Sequence, residues 1–372
     1  MASACRTASA VVATVLSASL LSAQPQAPAP PQAPAAPAAP PTAESIKRAE
    51  QVLSEARKAL GGDKLAGLKT LIASGRTKRV RGNNLVPIEF ELLVELPDRY
   101  LRVDEFPAED TDPTSSGFNG DALIQIPAPP AMPAAGQRGT PAAPGAAPAP
   151  GAAPARGSAP APAIPGVGPG GRGPAGPEGR GPMMDPRRAR IATVKQDFAR
   201  LALGLFAASP ASPVTFSFAA IAEAPQGKAD VLDVKGDGNF TLRYFINSDT
   251  HLPIMVSWTT PPTNVIVTVP GQPPPATVAP GAVVVAGPPA PGAGAPKDEV
   301  DKYAKEVLAV RAKAQATPVE HRLYFADYRD VDGVRFPFRL RRAIGAETTE
   351  ETTFDRFRVN AKIDPRRFEA LR

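Results

Sequence analysis

Few groups in this chain could carry chemistry. Its two histidines, His251 and His321, read as a turn residue and a strand-start residue. Neither has a His or Cys partner at the spacing that a zinc site uses. Asp327, Asp330 and Asp332 put three carboxylates in one short stretch, and calcium would be their chemistry. Their spacing of three and then two does not fit a loop-ligand pattern. Aspartates at a turn-rich strand end are explained by bonds to their own backbone. Neither a Gly-x-Ser-x-Gly elbow nor a phosphate loop ending in Gly-Lys-Ser/Thr occurs. Arg76, Lys78, Arg79 and Arg81 give one strand a basic edge, which guards against edge-to-edge aggregation; contact with lipid headgroups is the alternative. The expectation is a non-enzyme with no catalytic residue, no metal and no cofactor.

What remains is an apolar face. In Val214–Trp258, four short runs of alternating character are separated by turn signals at Gly227, Gly236-Asp237-Gly238 and Asp249–Pro253. Period-two alternation sends large side chains to one side of a sheet, and the turns make the runs a meander of hairpins. Phe216, Phe218, Phe240, Leu242, Tyr244, Ile254, Val256 and Trp258 share this face and are the candidate lining of a lipid cavity. Both faces of some strands carry large residues, since Phe245 opposes Tyr244 and Met255 opposes Ile254. Periodicity therefore leaves open which face lines the inside, and whether the barrel is filled or hollow.

Elements on either side must position this meander. Thr42 stands as an N-cap before a stripe of Ile46, Ala49, Leu53, Ala56 and Leu60, with Gly61-Gly62 as the stop. A second helix, from about Arg187 to Ala208, opens at Asp185 or Pro186. Its stripe is Val194, Phe198, Leu201 and Leu205, broadened by Leu203 and Phe206. Phe198, Leu201 and Leu205 are the candidate lid residues. A third helix, Asp298–Ala314, has a weak stripe.

Residues 69–105 read as three strands, Gly117–Gly120 as a turn and Asp121–Ile126 as a fourth strand. Val265–Val269 reads as another. The C-terminal part gives strands at Arg322–Tyr328, from Val334 and from about Thr348 to Val359, with Asp332-Gly333 as a hairpin turn. The fold class is mainly β (α+β): a curled antiparallel half-barrel of about ten or eleven strands with covering helices.

Composition bounds the ordered part. Gly (31) and Pro (47) make up about a fifth of the 372 residues and are clustered. Residues 1–23 read as a secretory signal, with Arg6 before an apolar run too short for a membrane span. Leu20-Leu21-Ser22-Ala23 resembles a lipobox but is followed by Gln24. The single cysteine, Cys5, leaves with the signal, so the mature chain is expected to have no disulfide. Residues 24–42 are an Ala/Pro linker. The remaining 43–372 form one domain interrupted by Pro/Ala/Gly inserts at 127–186 and 270–296, whose composition predicts disorder. Gly at every third position over Gly170–Gly181 is too brief for a collagen-like helix. The net charge of +6, with no basic helix face, does not call for nucleic acid.

Several motifs carry a resemblance. The first helix ending in Gly61-Gly62, ELPDRYLR (Glu95–Arg102), DFARLALGLF (Asp197–Phe206), GKADVLDV (Gly227–Val234), INSDTHLP (Ile246–Pro253) and YFADYRDVDGVRFPFRL (Tyr324–Leu340) are similar to the outer-membrane lipoprotein-sorting, LolA/LolB-like family of bacterial envelope proteins. The resemblance spans about 43–126 and 187–360 and omits the long inserts. It implies a half-open antiparallel barrel with helices as a lid, and acyl chains held on the inner face. No individual residue of the carriers is matched to a position here.

The resulting expectation is a monomeric, non-catalytic periplasmic protein, secreted through a cleaved signal and able to associate with the outer membrane. It would bind lipid or lipoprotein acyl chains and contact membranes peripherally, with envelope proteins as further partners. The competing expectation is a filled scaffold or sensor that contacts peptidoglycan or protein partners.

Overall fold

Thr42 begins the ordered chain as an N-cap, its hydroxyl accepting from the Ser45 amide at 3.2 Å. Helix α1 (Ala43–Leu60) follows and stops at Gly61, whose φ of +144° suits glycine and whose amide returns to the Arg57 and Lys58 carbonyls. Ala49, Val52, Leu53, Ala56 and Leu60 are buried, whereas Ile46 is 40% exposed. The expected stripe is thus corrected at its start. The buried arc centres on Ala49 and Ala56, which leaves Ile46 on its margin in the open first turn.

The structure, a computed structural model, describes residues 40–369 apart from 83, 110, 128–184, 225–226, 272, 274, 276–277 and 293. The expected signal, nearly all of the 24–42 linker, the Gly170–Gly181 triplets and nearly all of the 127–186 insert lie outside the described residues.

A short helix α2 (Asp63–Ala66) leads into β1 (Thr70–Arg81), β2 (Asn84–Glu95), β3 (Arg99–Glu105), β4 (Thr114–Asn119) and β5 (Ala122–Ile126). Next comes α3 (Pro186–Phe206), capped by Asp185, whose carboxylate accepts from the Arg187 amide at 2.9 Å. The meander is β6 (Val214–Ala224), β7 (Gly227–Gly236), β8 (Phe240–Asn247) and β9 (Pro253–Thr260). An excursion of β10 (Asn264–Thr268), β11 (Ala282–Ala286) and α4 (Lys297–Ala316) precedes β12 (Val319–Val331), β13 (Val334–Ile344) and β14 (Glu347–Val359). A 3₁₀ turn, Pro365–Phe368, ends the described elements.

Twelve strands form one antiparallel sheet in the order β5-β4-β3-β2-β1-β14-β13-β12-β9-β8-β7-β6, open at both edges. This is the mainly β half-barrel arrangement with covering helices that the alternation predicts, with twelve strands rather than ten or eleven. Two readings change. Gly117–Asn119 belongs to β4, because glycine serves a close approach there: a side chain at Gly117 would strike the Tyr100 carbonyl across the β3–β4 pair. The 270–296 insert contains β11, a β-branched run that pairs in parallel with β10. The expected Asp332-Gly333 hairpin forms, with φ of +55° and +85°.

One face of the sheet, together with α1 and α3, forms the main core. The opposite face is covered near β2–β5 by the chain's end, where Phe368 packs on Leu93, Leu101 and Ile124. The hydroxyls of Tyr244 and Tyr328 tie α3 to the sheet by donating to the carbonyls of Leu203 (2.8 Å) and Gly204 (3.2 Å). Tyr244→Phe is expected to lower stability by about 1 kcal/mol. Urea denaturation checks this, with the midpoint falling and the slope unchanged.

Candidate functional site

Strand parity decides which side chains meet beneath α3. In β3, the parity that sends Tyr100 into the main core sends Arg102 and Asp104 the same way. In β13, Leu340 is followed on its face by Arg342; in β14, Phe354 is preceded by Thr352 and Glu350. β1 carries Thr77 and then Arg79 on the core face. Register brings these ends together, since Glu350 lies opposite Arg79 on one side and Arg342 on the other.

Between this part of the sheet and α3 is a cavity of about 400 Å³. Its floor is apolar, made by Leu92, Tyr100, Leu323, Leu340 and Phe354. Its roof is Val194, Asp197 and Leu201, whose spacing of three and then four places them on one face of α3. Val194 and Leu201 are half-buried, whereas the adjacent Phe198 is sealed against Tyr100 and Phe118, with ring centroids at 4.7 and 5.6 Å.

A charged wall closes one side. Arg102 holds Asp104 at 2.6 Å, reaches the Thr77 hydroxyl at 3.3 Å and lies over the Phe90 ring at 4.6 Å. Arg79 holds Glu350 at 2.9 Å. Asp197 in the roof takes Arg200 at 2.8 Å, and that guanidinium lies over Trp258 at 4.4 Å and Phe240 at 5.3 Å. Burial works to raise the Glu350 pKa, but Arg102, Arg79 and Arg342 outweigh it and hold the carboxyl below its ordinary value. Burial pushes the Tyr100 hydroxyl up to about 12, so it stays protonated. A carboxyl held ionised against arginines, as Glu350 is, is a poor proton donor.

His321 sits behind this wall, stacked on Trp258 at 5.3 Å, with Nε2 2.8 Å from the Thr260 hydroxyl. Burial lowers its pKa first, with Arg342 and Arg200 adding and Asp197 opposing. The ring is therefore neutral in the fold, while the unfolded chain protonates near the ordinary value of about 6.5. The stability this gives is fully present above that value and is lost as pH falls below it toward the lower folded pKa. His321→Asn is expected to flatten the fall in melting temperature as pH drops below about 6.5. An unchanged slope would contradict this.

The sequence-predicted residues lie mostly elsewhere. Phe240, Leu242, Tyr244, Val256 and Trp258 are buried in the main core. Phe216 and Phe218 are half-buried and pack against it. Ile254 is half-exposed at a bulge, where Phe245 pairs with Met255 and Ile246 with Pro253. None of these eight lines the cavity beneath α3, and of the lid candidates only Leu201 does. Phe198 and Leu205 are fully packed. Sequence reasoning missed Arg102, Asp104, Arg342 and Glu350 as site residues and read Arg79 only as part of a basic edge, whereas β1 lies inside the sheet between β2 and β14. The available signal was their parity, since each continues the inward face of its strand.

Asp327, Asp330 and Asp332 serve local structure: Asp327 pairs with Arg329, and Asp330 accepts from the Gly333 amide at 3.1 Å.

No protein-family model matches the chain, and no curated protein matches it in sequence. Among solved structures it is similar to a DUF1329 family protein from Desulfovibrio piger, at 8% identity over 86% of this chain and 97% of that one, with a TM-score of 0.37. A LolA superfamily protein from Nitrosomonas europaea is 9% identical over 86% of this chain and 96% of that one, with a TM-score of 0.38. An outer membrane lipoprotein-sorting protein domain from Vibrio parahaemolyticus, described as putative, is 8% identical over 86% and 97%, with a TM-score of 0.37.

Proposed function

We propose that this chain is a non-catalytic binder of lipid acyl chains, free or attached to a lipoprotein, and that it holds them in the cavity beneath α3. The observation that carries this reading is the cavity itself. Its size falls in the range of small-ligand sites, its floor is apolar, and its roof is one helix that presents Val194 and Leu201 on either side of Asp197. Each methylene taken from water into such a space contributes about 0.8 kcal/mol. A ligand that prefers a form with α3 lifted from the sheet would shift the population toward it. The signal read in residues 1–23 places this activity in the periplasm, with a monomer meeting the outer membrane peripherally. Among the described residues, no helix is long and apolar enough to cross a membrane.

Fluorescent fatty-acid titration tests the reading. Leu201→Arg puts a charge in the roof at a half-buried position, so the fold should tolerate it. Affinity is expected to fall about tenfold or more, a loss of at least about 1.4 kcal/mol. Equal affinity in the variant and wild type would contradict the site.

A second reading has its own observation. The inner face of β8 and β9 is filled, with Tyr244, Ile246 and Val256 fully buried. A filled scaffold of that kind would meet peptidoglycan or protein partners through its surface, and it predicts no amphiphile binding at all.

A further inference from the structure

The cavity lining carries three arginines, Arg79, Arg102 and Arg342, and three carboxylates, Asp104, Asp197 and Glu350, but their pairing is uneven because Asp197 pairs with Arg200, which lies outside the lining. Each of its three carboxylates already has an arginine: Asp104 has Arg102, Glu350 has Arg79, and Asp197 has Arg200. Arg342 is the fourth arginine of the group. Among the described residues it makes no ion pair, although it lines the cavity beside Leu340 and is half-buried. Its register partner across β13–β14 is Glu350, but that carboxylate contacts Arg79 from the other side. The Arg342 guanidinium instead lies 5.8 Å from the Trp258 ring. A half-buried guanidinium that acts on Glu350 only at longer range and makes no direct ion pair is stabilised by an added anion.

We infer that the amphiphile taken by this cavity carries an anionic head, a carboxylate or a phosphate, which pairs with Arg342 while its chain lies on Leu340, Leu323 and Phe354. The guanidinium fork suits either oxyanion, through two parallel N–H donors. The inference rests on the cavity reading above and adds the head group to it. Trp258 is the single tryptophan of the chain, so its emission reports occupancy at Arg342.

The test titrates full-length protein with three probes of equal chain length: lauric acid, lauryl phosphate and methyl laurate. Wild type is expected to bind at least one anion about tenfold more tightly than the ester. Whichever of the acid and the phosphate binds better identifies the head. Arg342→Gln should bring that anion to within about twofold of the ester, with the ester unchanged, and Arg342→Lys should keep most of the preference. Equal binding of all three probes by wild type, or a preference that survives Arg342→Gln, would overturn the head-group inference and leave the cavity reading standing. Binding of none of the three would overturn both.

Discussion

Replacing Phe198 with alanine is expected to lower the unfolding free energy by about 3–5 kcal/mol and to weaken amphiphile binding with it. Phe198 is 1% exposed and forms an aromatic trio with Tyr100 and Phe118. Truncation removes the ring's transfer energy, leaves a void, and loses the edge and tilted contacts of the trio. The same residue seats the helix between Val194 and Leu201, so the roof loses its fixed height. Denaturant unfolding followed by circular dichroism measures the first effect and fatty-acid titration the second. A stability loss below about 1 kcal/mol would mean that α3 is not held there.

Gly204→Ala is the other sharp case, because two principles predict opposite signs. Glycine inside a helix normally costs about 1 kcal/mol relative to alanine, so propensity predicts stabilisation. At Gly204 a Cβ would run into the Phe325 ring, which is itself buried at 4% exposure. The helix must then lift, and the hydrogen bonds from Tyr244 and Tyr328 to the Leu203 and Gly204 carbonyls lengthen. Overpacking of this kind costs about 1–3 kcal/mol, so Gly204→Ala is expected to destabilise, and Gly204→Val to do so by more. A higher melting temperature for the alanine variant would show that α3 stands farther from β12 than described.

Much of the fold was legible because local rules and tertiary packing agree. Thr42 caps the first helix as expected and Gly61 ends it, and the second opens at Asp185–Pro186 as expected. Strand β8 of the meander alternates as the sheet requires, and Asp332-Gly333 supplies the later turn. Other features needed information that no local window holds. The β1–β14 pairing joins segments almost three hundred residues apart. Gly117 reads as a turn until Tyr100 is known to lie against it, and the bulge that turns Ile254 outward breaks a perfect alternation.

The candidate site was less legible than the fold. Alternation tells which side chains share a face, not what else packs on that face. Phe240, Leu242 and Tyr244 do share one, and α3 and its neighbours cover it. The empty volume lies where inward-facing positions change from apolar to charged. A reading that assigns charged residues to solvent passes over Arg102, Asp104, Arg342 and Glu350. Asking whether a charge keeps the parity of a buried aromatic, as Arg102 does after Tyr100, would have marked them.

The cavity beneath α3 is the proposed place of the bound acyl chain, and photo-crosslinking reads location directly. Full-length protein is incubated with a fatty acid bearing a diazirine near its methyl end, irradiated, digested and mapped by mass spectrometry. The expected result is label on peptides carrying Val194–Leu201 of the roof and on those carrying Leu323, Leu340 or Phe354 of the floor, lost in Leu201→Arg. Label concentrated on Phe216–Trp258 instead, with the roof and floor peptides clean, would contradict it.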